Sequence, residues 1–155
     1  KFNRVFKEEI FRLPKEYILP DVAIVHGTDG QKMSKSYGNV IPLFAPKEEL
    51  TKRVMSIVTD SSGGRPENVF AIHRLIRDES ELIALYEANR GNNKAIKEAL
   101  IEDLDRFLTP MQARYEALSR DPAAVEEVLA AGKDAARAVS EEKMEQVRKA
   151  IGVAS

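Results

Sequence analysis

Apolar residues recur at helical spacing from the start of the chain. Phe2, Val5, Phe6 and Ile10 fall on one face among Lys, Arg, Asn and Glu, which predicts an amphipathic helix over residues 1–11, ended by Pro14. The period then changes. Val22-Ala23-Ile24-Val25 is a short, β-branched run between Pro20-Asp21 and His26-Gly27, the pattern of a buried strand. A lone strand leaves its backbone groups unpaired, and no other segment offers an equally good partner, so this run is expected to be the edge of a sheet whose other strands lie elsewhere. Residues 27–39 are polar, contain Gly27, Gly30 and Gly38, and read as a loop.

Beyond Pro46 the spacing is helical throughout. Leu50, Val54 and Ile57 with Val58 share one face, up to the breaker Thr59-Asp60-Ser61-Ser62-Gly63-Gly64. Val69, Ile72, His73 and Ile76 repeat the pattern. Asp78 or Ser80 is placed to cap the next helix, whose apolar face is Leu82, Ile83, Leu85 and Tyr86. After Gly91-Asn92-Asn93, residues 94–118 carry a long stripe of Ile96, Leu100, Ile101, Leu104, Phe107, Leu108, Met111, Tyr115 and Leu118, the expected central helix, which Pro110 should bend. Asp121-Pro122 is an N-cap followed by proline at the first helical position, and Val125, Val128 and Leu129 are expected to face inward as far as Gly132. A last helix through Ala135, Ala136, Val139, Val147 and Ile151 is expected to close near Gly152. The fold class is therefore mainly α. Residues 1–45 form a short α/β edge, and residues 46–155 a helical bundle.

Composition narrows the chemistry. The 155 residues include no Cys and two His, which removes thiol catalysis and makes a metal site an unpromising reading. No apolar run approaches the roughly 20 residues of a membrane span, and a cytoplasmic protein is expected. The chain begins at Lys1 inside an amphipathic pattern and reads as a piece of something longer. Net charge is −1, too balanced for a domain that wraps nucleic acid by phosphate contacts alone. Residues 1–39 hold seven Lys or Arg against five Asp or Glu, whereas residues 79–118 hold five against eight, so any nucleic-acid contact must be local.

The chemistry concentrates in Gly30-Gln31-Lys32-Met33-Ser34-Lys35-Ser36-Tyr37-Gly38-Asn39. Two ammonium groups and two hydroxyls interleave on a glycine-flanked loop directly after the expected strand. Lysine is a compact charge on a long stem and can follow phosphate oxygens as charge migrates, which the rigid fork of arginine does less well. Ser34, Ser36 and backbone amides would add neutral donors. Such a loop must open and close, so residues 27–38 are expected to be the least ordered internal segment, with Met33 as the one large apolar anchor.

The unbroken Lys32-Met33-Ser34-Lys35-Ser36, placed after a strand and before a helical domain, resembles the second nucleotide-binding motif of class I aminoacyl-tRNA synthetases. Within the class, the continuation Tyr37-Gly38-Asn39, with Ile41, Leu43 and Phe44 and then Val58-Thr59-Asp60-Ser61, is similar to the bacterial tryptophanyl-tRNA synthetases. The likeness spans residues 1 to about 152 and covers about the last two-fifths of the family. It implies activation of tryptophan by Mg2+-ATP to tryptophanyl-adenylate and pyrophosphate, then transfer to tRNA(Trp), by a parent protein expected to be a homodimer. Lys32 and Lys35 would be catalytic, stabilising the phosphates together with Met33, Ser34 and Ser36, while backbone groups of Ala23 and Ile24 would lie beside adenine. The family's His-x-Gly-His motif, its Gly-x-Asp-Gln segment and its indole-recognising residues are absent from this sequence, so the chain alone is expected to be inactive.

Other polar residues have plainer readings. His26 lies where a base could act, but the implied mechanism needs none there. His73, on an apolar face, is expected to be a hydrogen-bonded core residue, and Asp60-Ser61-Ser62 to be turn chemistry. Arg74, Arg77, Arg90, Lys94, Arg106 and Arg114 are candidates for contact with an anticodon stem-loop, though most read as surface charge. Tyr86 and Tyr115 continue apolar stripes and are expected in the core rather than as base-stacking platforms. Two alternatives remain: part of another class I synthetase, foremost the tyrosine enzyme, which usually carries Phe and Gly in place of Met33 and Ser34; or a non-catalytic helical module whose Lys/Ser loop is incidental.

Overall fold

The structure, a computed structural model, describes residues 1–59 and 64–153, with Asp21 described by its backbone alone. Asp60, Ser61 and Ser62, expected to be turn residues, lie outside the described residues. The helices are α1 (Phe2–Phe6), α2 (Lys47–Met55), α3 (Glu67–His73), α4 (Glu79–Ala88), α5 (Asn93–Ser119) and α6 (Pro122–Ala150). They divide between two compact units: one comprises Lys1–Tyr17 with Glu116–Ser155, the other Ile18–Tyr115.

The Ile18–Tyr115 unit holds the hydrophobic core. Helices α2 to α4 each contribute one apolar face, with Leu50, Val54, Val69, Ile72 and Leu82 buried against Ile96, Leu100, Leu104 and Leu108 of α5. Amphipathic helices have no other way to remove such a stripe from water. The ends of these helices follow local chemistry. The carboxylate of Asp78 accepts the Ser80 amide at 2.8 Å and caps α4 as expected. At the C-terminus of α2, the buried Lys97 of α5 donates to the carbonyls of Met55 (2.9 Å) and Ile57 (2.7 Å), groups that would otherwise be orphaned by the helix end. Burial pulls the Lys97 ammonium below its ordinary pKa.

Five expectations need correction. Residues 22–25 form no strand; a 3-10 turn occupies Pro20–Val22, and Val22 and Ile24 are 49% and 59% exposed. A strand requires a neighbour to take its backbone bonds, and among the described residues the β-pairing is confined to a bridge between His26 and Lys32. The first helix stops at Phe6 rather than running to residue 11. Lys7 adopts a left-handed backbone (φ 55°), and the Asn3 amide clasps both backbone groups of Phe11, turning the chain back.

Gly132 does not divide the last helix, because one glycine among alanines costs a helix only about 1 kcal/mol. Asp121 caps α6 as expected, through the Ala124 amide, but Val125, Val128 and Leu129 are exposed rather than inward. Helix α5 continues through Pro110, and its buried face ends near Leu108. Phe107, Met111, Tyr115 and Leu118 are half exposed, and Tyr115 stacks on Phe44 at 4.7 Å instead of entering the core.

His73 is the core residue the pattern indicated, with no accessible surface. Its Nδ1 lies 3.2 Å from the Tyr86 hydroxyl and its Nε2 2.9 Å from Asp103 Oδ2. Arg77 also donates to Asp103 Oδ2 (2.9 Å) and Arg106 to Oδ1 (3.0 Å), so the carboxylate charge is met without a charged imidazole. Burial pushes the His73 pKa below its ordinary value and outweighs the attraction of Asp103. It also holds the Tyr86 phenol well above its usual range. Tyr86 therefore donates to Nδ1, and a neutral His73 donates from Nε2 to Asp103. The Asp103 carboxyl sits below its ordinary value because its bonds to His73 and Arg77 outweigh burial, which acts the other way.

The sign of the pH dependence follows. Below pH 6.5 the unfolded chain protonates its histidine and the folded chain resists, so stability present above that pH declines as pH falls through it. Urea unfolding between pH 7.5 and 5 should show this slope in the native chain and a flatter one in His73→Gln; equal slopes would remove His73 as the cause. Asp103→Ala strands His73 and Arg77 together and should cost about 3 kcal/mol at neutral pH in the same assay.

Candidate active-site loop

A short hairpin carries the Lys/Ser motif. Gly27 donates to the Gln31 carbonyl at 2.7 Å and Met33 to the Val25 carbonyl at 2.8 Å, pairing His26 with Lys32 in antiparallel sense. Gly30 closes the tip with a left-handed backbone (φ 79°), its amide bonded to the Gly27 carbonyl. The Gly30 carbonyl lies 3.1 Å from His26 Nδ1, which must carry the proton to bond there. His26 is thereby a hairpin residue, and no base role is needed to explain it. Ser34 remains extended (φ −153°, ψ 140°), and a single 3-10 turn over Lys35–Tyr37 follows, ending at left-handed Gly38.

All five motif residues lie on this one segment. Met33 points down and packs on the hydrophobic core, lining an apolar hollow with Val25, Ile72 and Leu104. Lys32 and Lys35 are exposed, Ser34 is half buried, and the hydroxyls of Ser34 and Ser36 lie 2.8 Å apart. Ala23 and Ile24 come just before Val25, so the bond from Met33 to the Val25 carbonyl brings them next to the motif. They sit in irregular, exposed backbone rather than at a strand end.

The loop expected to be the least ordered internal segment is closely stitched. Asn39 lies beneath it, 3% exposed. Its Oδ1 accepts from the Ser34 amide (2.8 Å), and its Nδ2 donates to the Lys32 carbonyl (3.1 Å) and to Asp29 Oδ1 (2.7 Å). Its own carbonyl takes the Thr28 amide at 3.0 Å. The Asn39 bond, with help from the Gln31 amide, holds the Asp29 carboxyl below its ordinary pKa against a smaller opposing effect of burial. Outside this knot, Thr28 accepts from the Val58 amide (2.8 Å), Asn68 donates to the Val58 carbonyl (2.9 Å), and Arg53 donates to the Gly38 carbonyl (3.1 Å).

Asn39, Asn68 and Arg53 were not singled out as site residues by the sequence; of the three, only Asn39 lay inside a quoted motif. The amides of Met33 and Ser34 are consumed within the fold, and the exposed ammonium groups of Lys32 and Lys35 stand beside the serine hydroxyls. Among the described residues, no group of three or more His, Cys, Asp or Glu side chains is placed to hold a metal ion.

The glycines distinguish packing from backbone conformation. A Cβ on Gly30 would come 2.7 Å from Asn68 Oδ1, a side chain itself bonded to Val58, whereas one on Gly38 (φ 68°) meets nothing within 4 Å. Gly30→Ala should therefore cost about 2–4 kcal/mol, from the left-handed backbone plus the collision, and Gly38→Ala about 1–2 kcal/mol from the backbone alone. Urea unfolding of the two variants checks this, and equal losses would mean that Asn68 moves aside freely.

Comparison with known proteins agrees with this geometry. The family described as tRNA synthetases class I (W and Y) matches residues 1–130. A tryptophan–tRNA ligase of Xanthomonas campestris pv. campestris is 40% identical over 99% of this chain and 38% of its own length. One from Fusobacterium nucleatum is 40% identical over 99% of this chain and 50% of its own. A crystal structure of tryptophanyl-tRNA synthetase from Campylobacter jejuni, complexed with ADP and tryptophan, superposes with a TM-score of 0.81 at 34% identity, covering 97% of this chain and 50% of that one. The chain thus spans about 38–50% of the length of these curated relatives. With the match extending over most of its length and through the Lys/Ser hairpin, the chain belongs to the class I tRNA synthetase family that comprises the tryptophan and tyrosine enzymes.

Proposed function

We propose that the chain is the C-terminal part of a tryptophan–tRNA ligase and supplies the phosphate-handling loop for adenylate formation. The observation that carries the proposal is the hairpin, which presents Lys32 and Lys35 to solvent from a frame anchored by Met33. In the reaction, a carboxylate oxygen of L-tryptophan attacks the α-phosphorus of ATP. The bond to the bridging oxygen breaks, and its electron pair leaves with pyrophosphate. Negative charge grows on the departing phosphates, where two ammonium groups and the hydroxyls of Ser34 and Ser36 are worth more than against the ground state. A ribose hydroxyl of tRNA(Trp) then attacks the activated carbonyl, and AMP departs.

Each remaining assignment has its own support. Ala23 and Ile24, adjacent to the hairpin, are placed beside adenine. Met33 serves as anchor. Mg2+ would accompany the triphosphate and help neutralise its charge, and no residue of this chain is assigned to hold it. The division at residue 45 is one of roles, a catalytic edge in residues 1–45 and a tRNA-binding bundle in 46–155, and it differs from the division into packed units. Among the basic candidates for tRNA contact, Arg77 and Arg106 are committed to Asp103 and Lys94 faces Glu98 at 3.7 Å. Arg74, Arg90 and Arg114 are exposed and are the better candidates. The homodimer and the cytoplasmic location belong to the proposal; among the described residues, no helix is long and apolar enough to cross a membrane.

Tyrosine is the competing substrate within the same family, disfavoured here by Met33-Ser34 and by the tryptophan ligases that align over nearly the whole chain. ATP–pyrophosphate exchange by the full-length enzyme should depend on tryptophan and not on tyrosine, and this chain alone should show none. Lys35→Ala in the full-length enzyme should lower kcat by about 2.7–4 kcal/mol of lost transition-state stabilisation, the cost of removing one preorganised donor to a developing anion. An unchanged kcat with a raised KM for tryptophan would overturn the role given to Lys35.

A further inference from the structure

The two lysines of the motif are held very differently. Lys32 lies in the paired part of the hairpin, its carbonyl bonded by Asn39 Nδ2 and the next amide, that of Met33, bonded to Val25. The Ser34 amide is bonded by Asn39 Oδ1. One buried side chain therefore grips the backbone on both sides of Met33, while the Met33 side chain is set in the core. In extended backbone, successive side chains alternate between faces, so an inward Met33 directs Lys32 and Ser34 outward. Lys35 begins the 3-10 turn, which is held by its own short bonds (Tyr37 amide to Ser34 carbonyl, Gly38 amide to Lys35 carbonyl) and by Arg53 at the Gly38 carbonyl.

Asparagine alone suits the position beneath. Its Nδ2 meets two acceptors, the Lys32 carbonyl and the Asp29 carboxylate, and its Oδ1 meets one donor, the Ser34 amide. Turning the amide over would set like against like at all three contacts, which fixes its orientation. An aspartate of the same shape would face the Asp29 carboxylate with a second negative charge. Gly27 packs directly against this group, since a Cβ there would collide with the Asn39 side-chain amide and lie 2.7 Å from its main-chain carbonyl oxygen.

We infer that Asn39 is a positioning residue for Lys32, locking that lysine to the frame of the Ile18–Tyr115 unit and leaving Lys35, on its short turn, as the lysine free to follow the departing phosphates. The inference rests on the ligase reading above and goes past it by assigning the two lysines unequal parts. It also identifies a third residue that acts through only one of them. A Lys32 already in place costs no reorganisation at the moment of reaction, whereas an ångström of misplacement costs about a hundredfold in rate.

A double-mutant cycle in the full-length enzyme separates this role from general support of the fold. Asn39→Ala should lower kcat for tryptophan-dependent pyrophosphate exchange by about 10- to 100-fold, with little change in KM for tryptophan. In a Lys32→Ala background the same substitution should change kcat by less than about twofold, and in a Lys35→Ala background it should keep its full effect. Asp29→Ala, at an exposed position, removes one Asn39 partner together with the acceptor of the Gln31 amide, and should show a smaller loss with the same dependence on Lys32. It serves in place of Asn39→Ala if that variant does not fold. An equal effect of Asn39→Ala in both lysine backgrounds would overturn the inference, as would wild-type kcat in both Asn39→Ala and Asp29→Ala. If Lys32→Ala itself leaves kcat unchanged, or the native enzyme shows no exchange, the ligase reading falls and the inference with it. Impaired Lys32→Ala beside unaffected Asn39→Ala defeats the inference alone.

Discussion

A polar group taken out of water must bring its partners with it, and in the Ile18–Tyr115 unit that requirement builds the architecture around the loop. Leaving a buried donor or acceptor unmatched costs about 1–3 kcal/mol, comparable to the burial of an aliphatic side chain. Asn39, Lys97 and His73 each lie against the core, and among the described residues no buried side-chain nitrogen or oxygen is left without a hydrogen bond. Each therefore dictates where a neighbouring segment runs. Lys97 fixes the exit of α2, His73 ties α3 to α4 and α5, and Asn39 gathers residues 27–34 into a hairpin although the described residues include no sheet to hold them.

These constraints connect in series. Lys97 donates to Ile57; the next residue, Val58, gives its amide to Thr28 and takes the side chain of Asn68; and Thr28 gives its amide to Asn39. A run of hydrogen bonds thus leads from the second turn of α5 to the backbone of the motif. The core adds a second route through Met33. A helical bundle and a Lys/Ser loop joined this way cannot shift independently without breaking these bonds. The loop's position is therefore a property of the bundle as much as of its own sequence.

Much of this was legible in the chain, for identifiable reasons. The buried faces of α2 to α5 and the caps at Asp78 and Asp121 depend on interactions within a few residues, which periodicity and side-chain chemistry report directly. His73 was readable because a lone histidine on an apolar stripe must find a partner. The strand at residues 22–25 was misread because a β-branched run records only that a segment can be buried in a sheet; the sheet itself must come from elsewhere. Gly132 was given too much weight, since neighbouring alanines outweigh one poor helix former. The motif announced its chemistry through residue types, but not the state of its amides. Whether Ser34 can donate to a ligand is decided by Asn39, five residues on, and Asn39 is placed by Asp29, ten residues back.

That hidden layer changes how the motif is understood. Counted by residue type, Lys32 to Ser36 supplies charges, hydroxyls and backbone amides to an anion alike. In the structure the amides of Met33 and Ser34 are spent on holding the loop together. An anion at this face would then meet long side chains standing on a backbone whose Met33 and Ser34 amides are already bonded. Such an arrangement favours lysine over arginine, because the scaffold provides the rigidity and the side chain only has to reach and follow. It also explains why small residues flank the motif: Gly27 and Gly30 are needed where Asn39 and Asn68 press against the hairpin, so at these positions glycine serves close packing as much as freedom of movement.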